Sequence, residues 1–141
     1  MLYHTKKLES FAEKQKAHIW ESEVIQLVHK KTLAIVGFGD IGACAGKIAK
    51  NGFGARVIGV KRRPEITSDE HRACADEIVG IDELDRVFAE ADFVVNILPK
   101  TQETLNFFSL ESSFKKMKKS AVFINVGRGD TIIEEDLVKA L

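Results

Sequence analysis

Gly37, Gly39 and Gly42 form a G-x-G-x-x-G pattern, which has the residue types and spacing of a phosphate-binding turn. An apolar run before it predicts a strand at 31–39, and small residues after it predict a helix at 40–52. The first glycine would allow a tight turn, the second would let a pyrophosphate approach the backbone, and the third would let helix and strand pack closely. Free N–H groups at the helix N-terminus would hold the phosphates.

The same glycines are also compatible with a tight strand-to-helix turn that binds nothing. The position between a strand and a helix is the context that a dinucleotide site requires, and it favours a ligand. Asp40 is an unusual neighbour for a phosphate, so we expect its side chain to point to solvent or to cap the helix. The candidate cofactor-binding residues of this turn are Gly37, Phe38, Gly39, Asp40, Ile41 and Gly42.

Three cations follow the second predicted strand, at 55–60. A site for NAD usually carries an acid here, about 20 residues after the first glycine, to accept hydrogen bonds from the ribose diol. This chain has Lys61, Arg62 and Arg63 instead. Guanidinium groups bind phosphate in a bidentate manner, so the triplet predicts a site for the 2′-phosphate of NADP(H), favoured over NAD(H). A solvated basic turn is the alternative.

The elements that must position these residues alternate between strand and helix. A helix is predicted at 2–28, and further helices at 81–91, 109–119 and 133–141; the remaining strands are predicted at 76–80, 92–99 and 120–127. This alternation predicts an α/β fold, a Rossmann-type doubly wound parallel sheet of about five strands in the order 3-2-1-4-5. We expect two parts: a leading helix at 1–30 that serves dimerisation or packing, and a dinucleotide-binding domain at 31–141.

Composition excludes several classes of function. The 141 residues contain 21 Lys plus Arg and 21 Asp plus Glu, so no global charge favours nucleic acid or an anionic membrane. No apolar run approaches the roughly 20 residues that would span a bilayer. The two cysteines, Cys44 and Cys74, belong to no metal-spaced cluster, and we expect reduced thiols in a cytoplasmic protein with no metal.

Four segments together resemble the nucleotide-binding domain of the D-isomer-specific 2-hydroxyacid dehydrogenases. They read "LAIVGFGDIG", "GARVIGVKRRP", "DFVVNILPKTQET" and "FKKMKKSAVFINVGRGDTIIEEDLVKAL", and they occur in the family's order and spacing. The resemblance covers about 18–141. It implies a cofactor domain for hydride transfer between a nicotinamide and a small 2-hydroxy or 2-oxo acid, and the basic triplet favours the glyoxylate/hydroxypyruvate reductase type.

The resemblance also implies a role for residues beyond the glycine turn. Lys61, Arg62 and Arg63 would contact the adenosine ribose, Leu98 and Pro99 would line the adenine side, and Thr104 would reach a phosphate. Asn125, Val126 and Gly127 would lie beside the nicotinamide. Arg128 would bind the carboxylate and carbonyl of the 2-oxo acid and stabilise charge on the carbonyl oxygen as hydride arrives. By itself, Arg128 would be interpreted as an ordinary turn residue.

The family's mechanism also needs a histidine as proton donor and a glutamate that orients it. Both would lie downstream of Arg128 and outside these 141 residues, and the histidines present do not match that position; they are His4, His18, His29 and His71. We therefore expect an incomplete domain without its substrate domain, inactive alone. The alternative is a non-catalytic module for dinucleotide sensing or dimerisation. A symmetric homodimer through the leading helix is expected.

Overall fold

The computed structural model covers residues 1–141 and contains one parallel sheet of five strands. The strands are β1 (Thr32–Val36), β2 (Arg56–Val60), β3 (Glu77–Val79), β4 (Phe93–Asn96) and β5 (Val122–Asn125). Their order is β3-β2-β1-β4-β5, which confirms the predicted doubly wound Rossmann-type sheet. Ala34 at the centre of β1 pairs with Ile58 on one side and with Val94 on the other.

Six helices accompany the strands. They are α1 (Leu2–Thr5), α2 (Leu8–Lys16), α3 (Asp40–Phe53), α4 (Asp69–Arg72), α5 (Leu84–Glu90) and α6 (Glu134–Ala140). Short 3₁₀ turns occupy Pro64–Ile66, Ile81–Glu83, Phe114–Lys116 and Gly129–Thr131. None of these helices combines the length and the apolar character needed to cross a membrane.

The core has two layers, one on each face of the sheet. On the α3 face, Leu33 and Ile35 pack with Phe38. On the opposite face, Ala34 and Val36 pack in a cluster that also holds Phe88, Phe108 and Phe114. Because both faces of β1 are covered, its sequence is a continuous apolar run without polar alternation.

The helix predicted over most of 2–28 is wrong beyond residue 16, and before that it is broken at Lys7, which has a φ of 50°. His18 has a φ of 56°, in the left-handed region that ends a helix, and residues 17–31 contain no helix. The chain then folds back on α1 and α2: the Glu23 carboxylate pairs with Lys14 at 2.8 Å, and the Gln26 amide donates to the Thr5 carbonyl at 2.9 Å. These contacts are polar and join residues 9 and 21 positions apart, so apolar spacing did not reveal them.

The predicted helix at 109–119 is also wrong. Only Phe114–Lys116 forms a helical turn, of the 3₁₀ type. The Ser112 amide donates to the Ser109 hydroxyl at 3.1 Å, a local bond that competes with helix formation. Phe114 packs edge-on against Phe123 of β5, with ring centroids 5.4 Å apart. Packing of this aromatic side chain, together with the serine turn, therefore determines the local backbone.

A substitution at Gly59 of β2 would show how tightly α3 packs against the sheet. A Cβ at this position would stand 2.5 Å from Cγ of Phe38, which is 1% exposed and has no room to move. We expect Gly59→Ala to lower the free energy of unfolding by about 1–3 kcal/mol in urea denaturation. Gly52→Ala is the matched control, because nothing lies within 4 Å of its Cβ position in α3, and it should raise stability by about 0.5 kcal/mol. Equal effects of the two changes would contradict this packing.

Asp92 lies at the edge of the sheet where the strands begin, and its carboxylate has two hydrogen-bond partners there. Burial raises the pKa of its carboxyl, but the Thr32 amide at 2.8 Å and Lys118 at 3.1 Å outweigh burial and leave the pKa below its ordinary value of 3.8. A lowered carboxyl pKa contributes stability that is present above the unfolded value and is lost as pH falls.

We therefore expect Asp92→Asn to lower the free energy of unfolding by about 1–2 kcal/mol at neutral pH. In acid the difference between the two proteins should be smaller, because the wild-type chain loses the contribution of the Asp92 charge. Urea denaturation of both proteins at about pH 7 and about pH 3 measures the difference. A deficit that stays the same at both pH values would show that the Asp92 charge contributes nothing.

Candidate functional site

The glycine turn lies where the sheet order reverses, between β1 and β4. Gly37 follows β1 with a φ of 99°, and a Cβ there would stand 3.0 Å from the carbonyl carbon of Ile97, just after β4. Its amide donates to the Val60 carbonyl at the end of β2, at 3.1 Å. The turn is thereby tied to both neighbouring strands. In open parallel sheets, ligands bind at this reversal, outside the carboxyl ends of the strands.

The N-terminus of α3 opens directly from this turn. Gly39 precedes the helix, no side chain caps it, and nothing lies within 4 Å of the Cβ position of Gly39. At Gly42 a Cβ would stand 2.9 Å from the Gly37 carbonyl oxygen, so the helix approaches the turn closely. The first amides of a helix have no intrahelical acceptor and carry a partial positive charge. The open space and the uncapped amides fit a pyrophosphate.

The three predicted pyrophosphate residues that are not glycines differ in their surroundings. Asp40 points to solvent, with its side chain 97% exposed and 3.3 Å from Nε2 of His71, and it does not cap α3. Phe38 lies in the core, where its ring packs against the backbone of Gly46 and Gly59 and occupies the space that side chains at these positions would need. Ile41 is exposed on the first turn of α3.

The three cations after β2 occupy distinct environments. Lys61 is half-buried and its amide donates to the Val79 carbonyl at 3.0 Å, which ties the end of β2 to β3. Arg62 is exposed, and its guanidinium pairs with the carboxylate of Glu103. Arg63 is exposed and has no carboxylate partner. Lys61 and Arg62 line a cavity of about 290 Å³ together with the glycine turn.

A second, smaller cavity continues from this cleft. It measures about 110 Å³ and has Arg62 and Glu103 in its wall together with Leu98 and Thr104. Pro99, which follows Leu98, lines the larger cavity. The Thr104 hydroxyl donates to the Pro99 carbonyl at 2.6 Å and so closes the turn after β4. Of the predicted adenine and ribose residues, all except Arg63 therefore line these two cavities, and the Thr104 hydroxyl is engaged within its own loop.

Asn96 is a buried hub that the sequence reasoning missed. It ends β4 with no exposed surface, and its carboxamide oxygen accepts from the Leu98 amide at 3.0 Å. Its amide group donates to Asn125 Oδ1 at 3.0 Å and to the Thr131 hydroxyl at 2.7 Å. A polar residue inside the apolar run "FVVNIL" was the available signal, because buried carboxamides need partners.

The loop that carries Arg128 is attached to this hub. The Gly127 amide donates to Asn125 Oδ1 at 3.0 Å, and the Thr131 hydroxyl donates to the Arg128 carbonyl at 2.7 Å. A Cβ at Gly127 would stand 2.7 Å from the Leu98 carbonyl oxygen, so the loops after β4 and β5 lie in contact. Val126 is exposed beside them.

The Arg128 guanidinium itself is exposed and has no carboxylate partner. Its one hydrogen bond within the chain is to the Gly127 carbonyl, at 3.2 Å. The adjacent acid, Asp130, is paired instead with Lys100 at 2.7 Å, and this hydrogen bond lowers the Asp130 pKa. Arg128 therefore remains available to bind an anion from outside the chain.

None of the four histidines lines either cleft cavity, although His71 contacts the first residue of α3. His71 pairs with Asp40, His29 contacts the Gly54 position, and neither cleft cavity has a histidine in its wall. His4 lies in α1 and His18 follows α2. No cluster of three or more His, Cys, Asp or Glu side chains is arranged to hold a metal ion.

Comparison with known proteins agrees with this geometry. The family model described as the D-isomer specific 2-hydroxyacid dehydrogenase, NAD binding domain, matches residues 1–141. A glyoxylate/hydroxypyruvate reductase B of Escherichia fergusonii is 38% identical over 149 aligned residues, which cover 100% of this chain and 43% of the relative. The chain thus spans less than half the length of this relative.

Solved structures show the same fold. A D-isomer specific 2-hydroxyacid dehydrogenase family protein from Aeromonas salmonicida has a TM-score of 0.89 and 34% identity, over 99% of this chain and 43% of that one. An NADPH-dependent glyoxylate/hydroxypyruvate reductase from Sinorhizobium meliloti, solved with NADP and sulfate, has a TM-score of 0.84 and 27% identity. The match covers 99% of this chain and 43% of that one. The chain therefore belongs to the D-isomer specific 2-hydroxyacid dehydrogenase family and is its NAD(P)-binding domain.

Proposed function

We propose that this domain binds NADP(H) for reversible hydride transfer to a small 2-oxo acid, of the glyoxylate or hydroxypyruvate class. The observation that carries the proposal is the convergence of three features on one edge of the sheet. They are the uncapped N-terminus of α3 behind Gly39, the basic end of β2, and the unpaired Arg128 after β5. Together they provide sites for a pyrophosphate, a ribose and an organic acid.

The preference for NADP(H) rests on charge at the end of β2. Lys61, Arg62 and Arg63 stand where a carboxylate would accept hydrogen bonds from the ribose diol of NAD. Arginine forks match the geometry and the charge of a phosphate. The Sinorhizobium meliloti relative, whose structure holds NADP, supports this assignment.

When bound, the nicotinamide supplies or accepts the hydride, and the chain's own residues position the partners. Arg128 would bind the carboxylate of the acid and stabilise negative charge that develops on its carbonyl oxygen. Its loop is held by Asn96 and Thr131, so the guanidinium is presented from a fixed backbone. The cleft walls contain no histidine as proton donor, and we propose that reduction requires an acid from outside these residues.

A second candidate function is dimerisation through the leading segment. Trp20 is fully exposed beside a groove of about 760 Å³ that also includes Leu8, Phe11 and Ile19. Exposed apolar patches of this kind mark interaction sites. In a symmetric dimer, the groove of one chain would pack against the same groove of the second chain.

The cofactor proposal is tested by replacing two of the cations. We expect Arg62→Ala combined with Arg63→Ala to weaken NADPH binding at least about tenfold and NADH binding less than about threefold, because only NADPH has the 2′-phosphate. Isothermal titration calorimetry with each dinucleotide measures both constants. The control, Lys115→Ala with Lys119→Ala, removes the same charge from residues outside the cleft walls and should change neither. Equal weakening of both dinucleotides would contradict a 2′-phosphate site.

The dimer proposal is tested at Trp20. We expect Trp20→Ser to weaken association at least about tenfold, since a central aromatic side chain dominates an interface of this type. Sedimentation equilibrium over a range of concentrations measures the dissociation constant. Val138→Ser removes another exposed apolar side chain, from α6, and should leave association unchanged. A wild-type chain that stays monomeric at every concentration would refute the dimer.

A further inference from the structure

Arg62 is held by a carboxylate from the opposite side of the cleft. It follows β2, whereas Glu103 lies 41 positions later, in the loop after β4. The Arg62 guanidinium donates to the Glu103 carboxylate, and both side chains line the smaller cavity. The ion pair therefore joins the two walls of the cleft at its ribose end.

The loop around Glu103 is folded so that the carboxylate stays near Arg62. Thr101 and Thr104 form a tight turn, in which the Thr101 amide donates to the Thr104 hydroxyl at 2.8 Å. The same hydroxyl donates to the Pro99 carbonyl at 2.6 Å. Glu103 lies inside this turn, so its backbone position is determined by hydrogen bonds that do not involve Arg62.

The pairing distinguishes Arg62 from its neighbours. Neither Lys61 nor Arg63 has a carboxylate partner, so these two cations are free to bind an external anion. Arg62 already has an anionic partner in Glu103, in an ion pair whose side chains are both more than half exposed. A phosphate that takes the Nη1 donor of Arg62 displaces the carboxylate, and one that binds the remaining donors lies close to a group of the same charge.

We propose that Glu103 is a specificity-determining residue, whose carboxylate competes with the 2′-phosphate of NADPH for Arg62. The inference rests on the proposed NADP(H) function. NADH has a hydroxyl at the 2′ position and leaves the Arg62–Glu103 pair intact, so its affinity does not depend on this competition. Glu103 thereby reduces the preference for NADPH that the three cations would otherwise produce.

The test is titration of the Glu103→Gln chain with NADPH and, separately, with NADH. The amide has nearly the same shape but no charge, so we expect NADPH to bind about fivefold more tightly and NADH to change less than about twofold. The NADPH gain should shrink at high salt, because the competition involves exposed charges. In the Arg62→Ala background the gain from Glu103→Gln should be much smaller, since the competing partner is gone.

Glu111→Gln is the matched control. Glu111 is also an exposed acid in an ion pair, with Lys115, but it lines neither cleft cavity. It loses the same unit of charge and should leave both affinities unchanged. A gain in NADPH affinity of equal size in this control would show that net charge alone is responsible, and would overturn the proposal.

The remaining outcomes separate this proposal from the cofactor assignment. If the wild-type chain prefers NADPH and Glu103→Gln leaves that affinity unchanged, the role of Glu103 is refuted and the NADP(H) site stands. If Glu103→Gln weakens NADH without any gain for NADPH, the carboxylate binds the ribose diol and the proposal is refuted. If neither protein binds either dinucleotide, both the proposal and the cofactor assignment are refuted.

Discussion

The parallel pairing of β1 with β4 is the constraint on which the candidate site depends. From β1 the chain goes outward to β2 and β3, and then it returns to place β4 on the other side of β1. This reversal leaves a crevice above the two strands, in which the backbone at Gly37 closely approaches Ile97. The glycine turn, the basic triplet and the Arg128 loop all follow strands of this sheet, so one topology brings them to one edge.

Asn96 connects the end of β4 to the loop after β5, which carries Arg128. A buried carboxamide must have its hydrogen bonds satisfied, and here its partners belong to the loops after β4 and β5. Low surrounding dielectric strengthens such bonds and makes each unpaired group costly. The backbone around Arg128 is therefore coupled to the end of β4, although Arg128 itself lies on the surface.

The sequence predicted the parts of the fold that local pattern determines. Buried strands appear as apolar runs, and the turn at Gly37 has a recognisable glycine spacing, so the sheet order and the strand–turn–helix unit around Gly37 were predicted correctly. Distant contacts determine the rest. The helix at 2–28 ends early where Glu23 folds back on Lys14, and the partners of Arg62 and Asn96 lie 41 and 29 positions away. No periodicity within one segment indicates such pairings.

Charge in this chain works locally, because the net charge is zero. Two of the three candidate-site arginines, Arg62 and Arg128, differ in their carboxylate partners. Arg62 is paired with Glu103, whereas Asp130, the acid nearest to Arg128 in sequence, is paired with Lys100. Asp130 therefore pairs with Lys100 and not with Arg128. Glu103 has no other cationic partner, and it pairs with Arg62. The loop after β5 therefore presents an unpaired cation, whereas an anion that binds Arg62 competes with the carboxylate of Glu103. The affinity of Arg62 for a phosphate is then the difference between its interaction with the phosphate and its interaction with the Glu103 carboxylate. A change at this one acidic side chain can alter that difference without changing the fold.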